Sequence, residues 1–139
     1  MREYQILLVE DDSVDIMTIE RAFRQANIAN PIFKARDGLA ALEHLRGSGG
    51  KEQIDRPLLI LLDLNMPLMN GLEFLETIKN DLELRDIPVV VLTSSQDEED
   101  IAEAYDGQVA GYMTKPIEVE RLIAKLTALG RYWTLCEMP

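Results

Sequence analysis

Five polar residues each close an apolar run, at points scattered over a hundred positions of the chain. Glu10 and Asp11 follow Ile6–Val9, Asp63 follows Leu58–Leu62, Thr93 follows Val89–Leu92, and Lys115 follows Gly111–Thr114. Brought together, they offer three carboxylates, one hydroxyl and one ammonium. Carboxylate oxygens suit a hard divalent cation such as Mg²⁺. A lysine and a hydroxyl beside that cation suit the oxygens of a phosphoryl group.

What would gather them is the fold. Short apolar runs bounded by polar and turn residues read as buried strands of a parallel sheet. In such a sheet every strand delivers its C-terminal residue to the same edge, where ligands bind. Between the strands lie helical patterns. Asp12 or Ser13 caps a first helix whose apolar face is Ile16, Ile19, Phe23 and Ala26. A short edge strand, Ile32–Ala35, leads through Asp37-Gly38 into a second helix carrying Leu39, Leu42 and Leu45. Gly47-Ser48-Gly49-Gly50 ends that helix and opens a polar loop that runs to Pro57.

Asn70 caps a third helix with Leu72, Leu75, Ile78 and Leu82 turned inward, and Pro88 starts the fourth strand. A fourth helix, Asp97–Tyr105, has only a thin apolar stripe of Ile101, Ala104 and Tyr105. A fifth strand is predicted over Val109–Met113. The last helix has the cleanest period: Val119, Leu122, Ile123, Leu126 and Leu129, with Trp133 on the same face. Five βα units in one domain imply an α/β, doubly wound parallel sheet with helices on both faces.

Composition narrows the function. With 139 residues, 47% of them apolar and 28% charged, the chain suits one globular domain. A formal charge of −11 argues against binding nucleic acid or an anionic membrane. The acidic run Asp97-Glu98-Glu99-Asp100 reads as a solvated helix face, and the single histidine, His44, as a surface residue. Cys136 is the only cysteine, so a reducing compartment fits. The N-terminus reaches acidic residues by position 10, unlike a signal peptide, and no apolar stretch approaches the length of a membrane span. The expected location is the cytoplasm.

The first βα turn, Val9-Glu10-Asp11-Asp12-Ser13, contains no glycine. Neither a dinucleotide fingerprint nor a P-loop fits it, and carboxylates there would repel a flavin phosphate. A cation is the better occupant. Val9-Glu10-Asp11-Asp12, Asp63-Leu64-Asn65-Met66-Pro67 with Asn70-Gly71, Thr93-Ser94 and Lys115-Pro116, in this order and spacing, closely resemble the receiver domain of two-component response regulators. The resemblance covers about residues 4–129 and leaves 130–139 as a C-terminal tail that could continue the last helix. It implies a flavodoxin-like five-stranded parallel sheet of order 2-1-3-4-5 with five helices.

It also implies roles. Asp63 would be the phosphoacceptor, taking a phosphoryl group from a histidine kinase. Asp11 and Asp63 would ligate Mg²⁺ directly, Glu10 through water and Asn65 through its backbone carbonyl. Lys115 and Thr93 would bind phosphoryl oxygens, and Tyr112 would rotate inward as Thr93 moves. The surface built by the fourth and fifth βα units would then switch. No turnover enzyme is expected, only self-catalysed phosphoryl transfer and slow loss of the phosphate. An aspartyl phosphatase typically has a second aspartate two positions after the nucleophile, where this chain has Asn65. The competing reading is a receiver-like interaction module that works without phosphorylation, although such degenerate members normally lack one of the acids or the lysine.

With the chain ending at Pro139, the expected output is a partner protein, self-association or onward phosphoryl transfer rather than an attached DNA-binding module. The loop from Gly47 to Pro57, the segment Val109-Ala110-Gly111-Tyr112 and the tail Arg131-Tyr132-Trp133 resemble small stand-alone regulators of cyanobacterial phytochrome kinases. The apolar tail further suggests a symmetric homodimer through the fourth and fifth βα face.

Overall fold

The computed structural model describes residues 4–56, 58–64, 66, 69–93, 109–115 and 117–135, with the backbone alone at Thr93 and residues 129–135. Five parallel strands form one sheet: β1 (Gln5–Val9), β2 (Ile32–Ala35), β3 (Leu58–Asp63), β4 (Val89–Thr93) and β5 (Gly111–Thr114). Their order is β2-β1-β3-β4-β5, the order that the receiver-domain resemblance implies. Helices α1 (Ser13–Gln25), α2 (Gly38–Arg46), α3 (Gly71–Lys79) and a C-terminal helix (Val119–Leu135) cover it. The predicted fourth helix, Asp97–Tyr105, lies outside the described residues.

Alternation along the strands divides the core in two. Leu7, Val9, Leu58, Ile60 and Leu62 face α2 and α3, meeting Leu42, Leu45, Phe74 and Ile78. Ile6, Leu8, Leu59 and Leu61 face Ile19 and Phe23 of α1 and Leu122 and Leu126 of the C-terminal helix. All six residues of β3 are buried, which explains its unbroken apolar sequence: a central parallel strand has no solvent face.

The helices start where side chains cap them. Asp12 Oδ1 accepts from Val14 N at 2.8 Å and Asp15 N at 3.2 Å. Asp37 Oδ1 accepts from Ala40 N at 2.8 Å. Asn70 and Glu73 form a reciprocal capping box, with bonds of 2.9 and 3.2 Å. Each cap is worth about 1 kcal/mol. Gly47, at φ 69° and ψ 39°, closes α2 in the left-handed conformation that glycine adopts without steric cost.

Not every large apolar residue expected on these helices reaches the core. Leu39 is 49% exposed and Leu82 75% exposed. The buried face of α2 is Gly38, Ala41, Leu42 and Leu45, a stripe in which small residues hold the places that a search for large ones overlooks. In α3 the buried stripe is Gly71, Phe74, Leu75 and Ile78, and Leu82 falls beyond the helix end. Strand β5 begins two residues later than predicted and runs one further, although Ala110 N already donates to Val89 O at 2.8 Å. The polar loop after α2 contributes Ile54, 6% exposed, to the core. His44 is half-buried rather than on the surface, packing edge-on against Phe33 at 6.1 Å between ring centroids.

Candidate functional site

The C-terminal ends of β1 and β3 are adjacent, because Val9 pairs with Leu62. The residues that follow are therefore delivered side by side. Glu10 N donates to Ala35 O at 3.0 Å, extending the ladder one residue beyond the strand and fixing the Glu10 backbone. Glu10 is 1% exposed and Asp63 2% exposed, while Asp11 is exposed. Each of the three offers a carboxylate oxygen, and these oxygens all lie within 4.8 Å of one another. Such a cluster of oxygen donors, two buried and one open to solvent, fits a hard divalent cation that keeps part of its water shell.

Lys115 follows β5 and reaches back over this cluster. Its Nζ lies 2.7 Å from Asp15 Oδ2, 2.9 Å from Glu10 Oε2 and 3.5 Å from Asp63 Oδ2. The 2.9 Å approach to Glu10 Oε2 is an ion pair without the alignment of a hydrogen bond. The other oxygen, Glu10 Oε1, accepts from Asp12 N at 3.1 Å.

Burial pushes the Glu10 carboxyl up to about 7; the Lys115 contact opposes that shift and the Asp63 charge adds to it. Burial would lower the Lys115 ammonium, but its contacts with Asp15 and Glu10 and the charge of Asp63 outweigh it, and Lys115 is held above its ordinary range. Near neutrality, then, Glu10 is the partner that titrates and Lys115 stays charged.

The backbone that carries Asp63 is in close contact with Gly71. A Cβ there would sit 2.3 Å from Asp63 O and 2.5 Å from Leu64 Cα. Gly71 N also donates to Leu64 O at 3.0 Å. The first turn of α3 thus presses directly on the backbone that carries Asp63, and only glycine permits that approach. The Asn70-Gly71 pair in the sequence has a physical meaning: one residue caps the helix and the next lets it come close.

Of the predicted site residues, Glu10, Asp11, Asp63 and Lys115 are brought together. Thr93 ends β4, in register with Thr114, one residue past the pairing of Leu92 with Asp63. Tyr112 lies in β5, half-buried against the core on the α2–α3 side, and its carbonyl accepts from Lys125 Nζ at 3.2 Å. Asn65 lies outside the described residues. Asp15 was not singled out from sequence. The available signal was an acid in the first turn of the helix after β1, four residues beyond Asp11.

Residues 6–127 match the response regulator receiver domain. The chain belongs to that family. Response regulator Rcp1 of Synechocystis sp. is 39% identical over 128 residues, 92% of this chain and 87% of the relative. A regulatory protein of Methanothrix harundinacea, FilR2, described as a probable methanogenesis regulator, is 42% identical over 129 residues, 92% of this chain and 82% of its own. Among solved structures, the phosphorylated cyanobacterial phytochrome response regulator RcpA superposes with a TM-score of 0.81 at 38% identity, covering 96% of this chain and 95% of that one. Rcp1 has also been solved with Mn²⁺ bound. This receiver domain shares their fold, with its acidic cluster and lysine at the C-terminal edge of the sheet. No described helix is long and apolar enough to cross a membrane.

Proposed function

We propose that this receiver domain takes a phosphoryl group from a phosphohistidine onto Asp63 and that the modified protein signals through its surface. The observation that carries the reading is the convergence of Glu10, Asp11 and Asp63 within 4.8 Å, with Lys115 Nζ 3.5 Å from Asp63 Oδ2. Attack of an Asp63 oxygen on phosphorus breaks the P–N bond of the donor and leaves the imidazole nitrogen to take a proton. The product is an acyl phosphate on Asp63. A carboxylate is a modest nucleophile, so the protein contributes chiefly position and charge.

Asp11 and Asp63, with Glu10 and the backbone of Asn65, are the residues that would hold Mg²⁺, which would supply positive charge against the phosphoryl oxygens. Lys115 would neutralise part of the added charge, and Thr93, at the end of β4, is proposed to supply a hydroxyl. Tyr112, in the neighbouring strand, is the group proposed to follow Thr93.

The donor is proposed to be a phytochrome-type histidine kinase, supported by the likeness to RcpA over 96% of this chain. A homodimer through the fourth and fifth βα units and the tail is the proposed output, in the cytoplasm. The test is incubation with acetyl phosphate and Mg²⁺, followed by intact-mass measurement and light scattering. One phosphoryl group is expected on the wild type and none on Asp63→Asn, whose amide is not nucleophilic. Equal labelling of the two proteins would refute the assignment. A panel of autophosphorylated kinases, phytochrome-type and otherwise, then decides the donor by relative transfer rate.

A further inference from the structure

Asp15 makes the shortest of the three carboxylate contacts to Lys115, 2.7 Å against 2.9 Å for Glu10 and 3.5 Å for Asp63. Its backbone N–H is held by the Asp12 side chain at 3.2 Å, which fixes the first turn of α1 and with it the approach of the carboxylate. Asp15 is not one of the carboxylates whose oxygens gather within 4.8 Å of one another, which are Glu10, Asp11 and Asp63; its contact is with the ammonium. An ammonium has three N–H donors, and three carboxylates lie around this one. A phosphoryl group on Asp63 would have to compete for them.

We propose that Asp15 is a positioning residue that draws the Lys115 ammonium toward α1, so that its negative charge limits how tightly a phosphoryl group is held on Asp63. The inference rests on Asp63 being the phosphoacceptor. Two effects act in the same direction. Asp15 offers Lys115 an alternative acceptor, and its charge repels a phosphoryl dianion at the same pocket. Side-chain exposures of 12% for Lys115 and 20% for Asp15 leave the pair only partly screened.

The experiment compares wild type, Asp15→Asn and Asp15→Glu in binding beryllium trifluoride at saturating Mg²⁺, by calorimetry, together with the lifetime of the aspartyl phosphate. Asp15→Asn should bind beryllium trifluoride about fivefold more tightly, a modest gain for a partly screened pair. It should also keep its phosphate correspondingly longer. Asp15→Glu, which restores the charge, should return both within about twofold of wild type. Affinity for Mg²⁺ alone should change less than affinity for beryllium trifluoride, since Asp15 is not one of the three clustered carboxylates. Melting curves verify folding, and Asp15→Ser serves if Asp15→Asn does not fold. Unchanged or weaker beryllium trifluoride binding by the neutral variant, or no rescue by Asp15→Glu, overturns the inference alone. Failure of the wild type to bind it at all removes the phosphoacceptor reading and this inference with it.

Discussion

Replacing Gly71 with alanine tests how closely the backbone around Asp63 is coupled to α3. The new Cβ would lie 2.3 Å from Asp63 O, 2.5 Å from Leu64 Cα and 3.0 Å from Asp63 C. To reach even 3.0 Å from the carbonyl oxygen, backbone must move by at least about 0.7 Å, because no flexible side chain is there to yield. Overpacking of this kind costs about 3 kcal/mol. For a chain of this size the melting temperature should fall by about 10 °C. The displaced atoms carry Asp63, the proposed phosphoacceptor, and misplacement of a reacting group by about 1 Å can cost on the order of a hundredfold in rate. Phosphorylation by acetyl phosphate should therefore slow at least about tenfold, measured well below the melting transition. Gly50→Ala is the control. Gly50 has φ 81° with open space around a Cβ, so it should lose about 1 kcal/mol to backbone strain and keep its phosphorylation rate. Gly71→Ala with wild-type melting and wild-type labelling would show that the close approach does not constrain the site.

The Glu10 carboxyl, raised by burial from 4.5 to about 7, makes the folded state bind a proton that the unfolded chain has already released. Its stabilising contribution is complete below about pH 4.5 and is lost as pH rises through about 7, up to about 3 kcal/mol. Without metal, the melting temperature should decline between pH 5 and 8, less so in Glu10→Gln, and millimolar Mg²⁺ should restore it at pH 8; equal melting curves with and without Mg²⁺ would count against a cation site. Lys115→Ala should still accept some phosphate, but amide-exchange changes in β4 and β5 on phosphorylation should vanish; a wild-type exchange response would refute its coupling role. Asn70→Ala removes one half of the capping box and should lower stability by about 1 kcal/mol in urea titrations, with no loss of m-value.

Most of the scaffold was legible because strand ends and caps are local signals. The runs before Glu10, Asp63, Thr93 and Lys115 marked β1, β3, β4 and β5, and Asp12, Asp37 and Asn70 marked the helix starts. Errors arose where small residues took core positions, as in the Gly38-Ala41 stripe of α2 that left Leu39 outside. The burial of His44 and Ile54 depends on how the loop after α2 folds back: Ile54 N donates to His44 O at 3.1 Å, a contact with no periodic signature. The Asp15–Lys115 pair was equally hidden. It joins the first turn of a helix to a residue one hundred positions away, and only the packing of α1 beneath the sheet edge sets that distance.

The distribution of the carboxylates and the lysine over β1, β3 and β5 has a kinetic consequence. No hairpin, βα unit or half-sheet contains the complete set, so contacts of long sequence separation must close before the pocket exists. Loop closure of that kind belongs to the slow, late part of assembly. An anion held on Asp63 by the cation and Lys115 together, such as beryllium trifluoride, stabilises only chains whose sheet has reached β5. Its effect should therefore fall on the unfolding limb of a chevron plot, lengthening the life of the native state and leaving the refolding rate nearly unchanged.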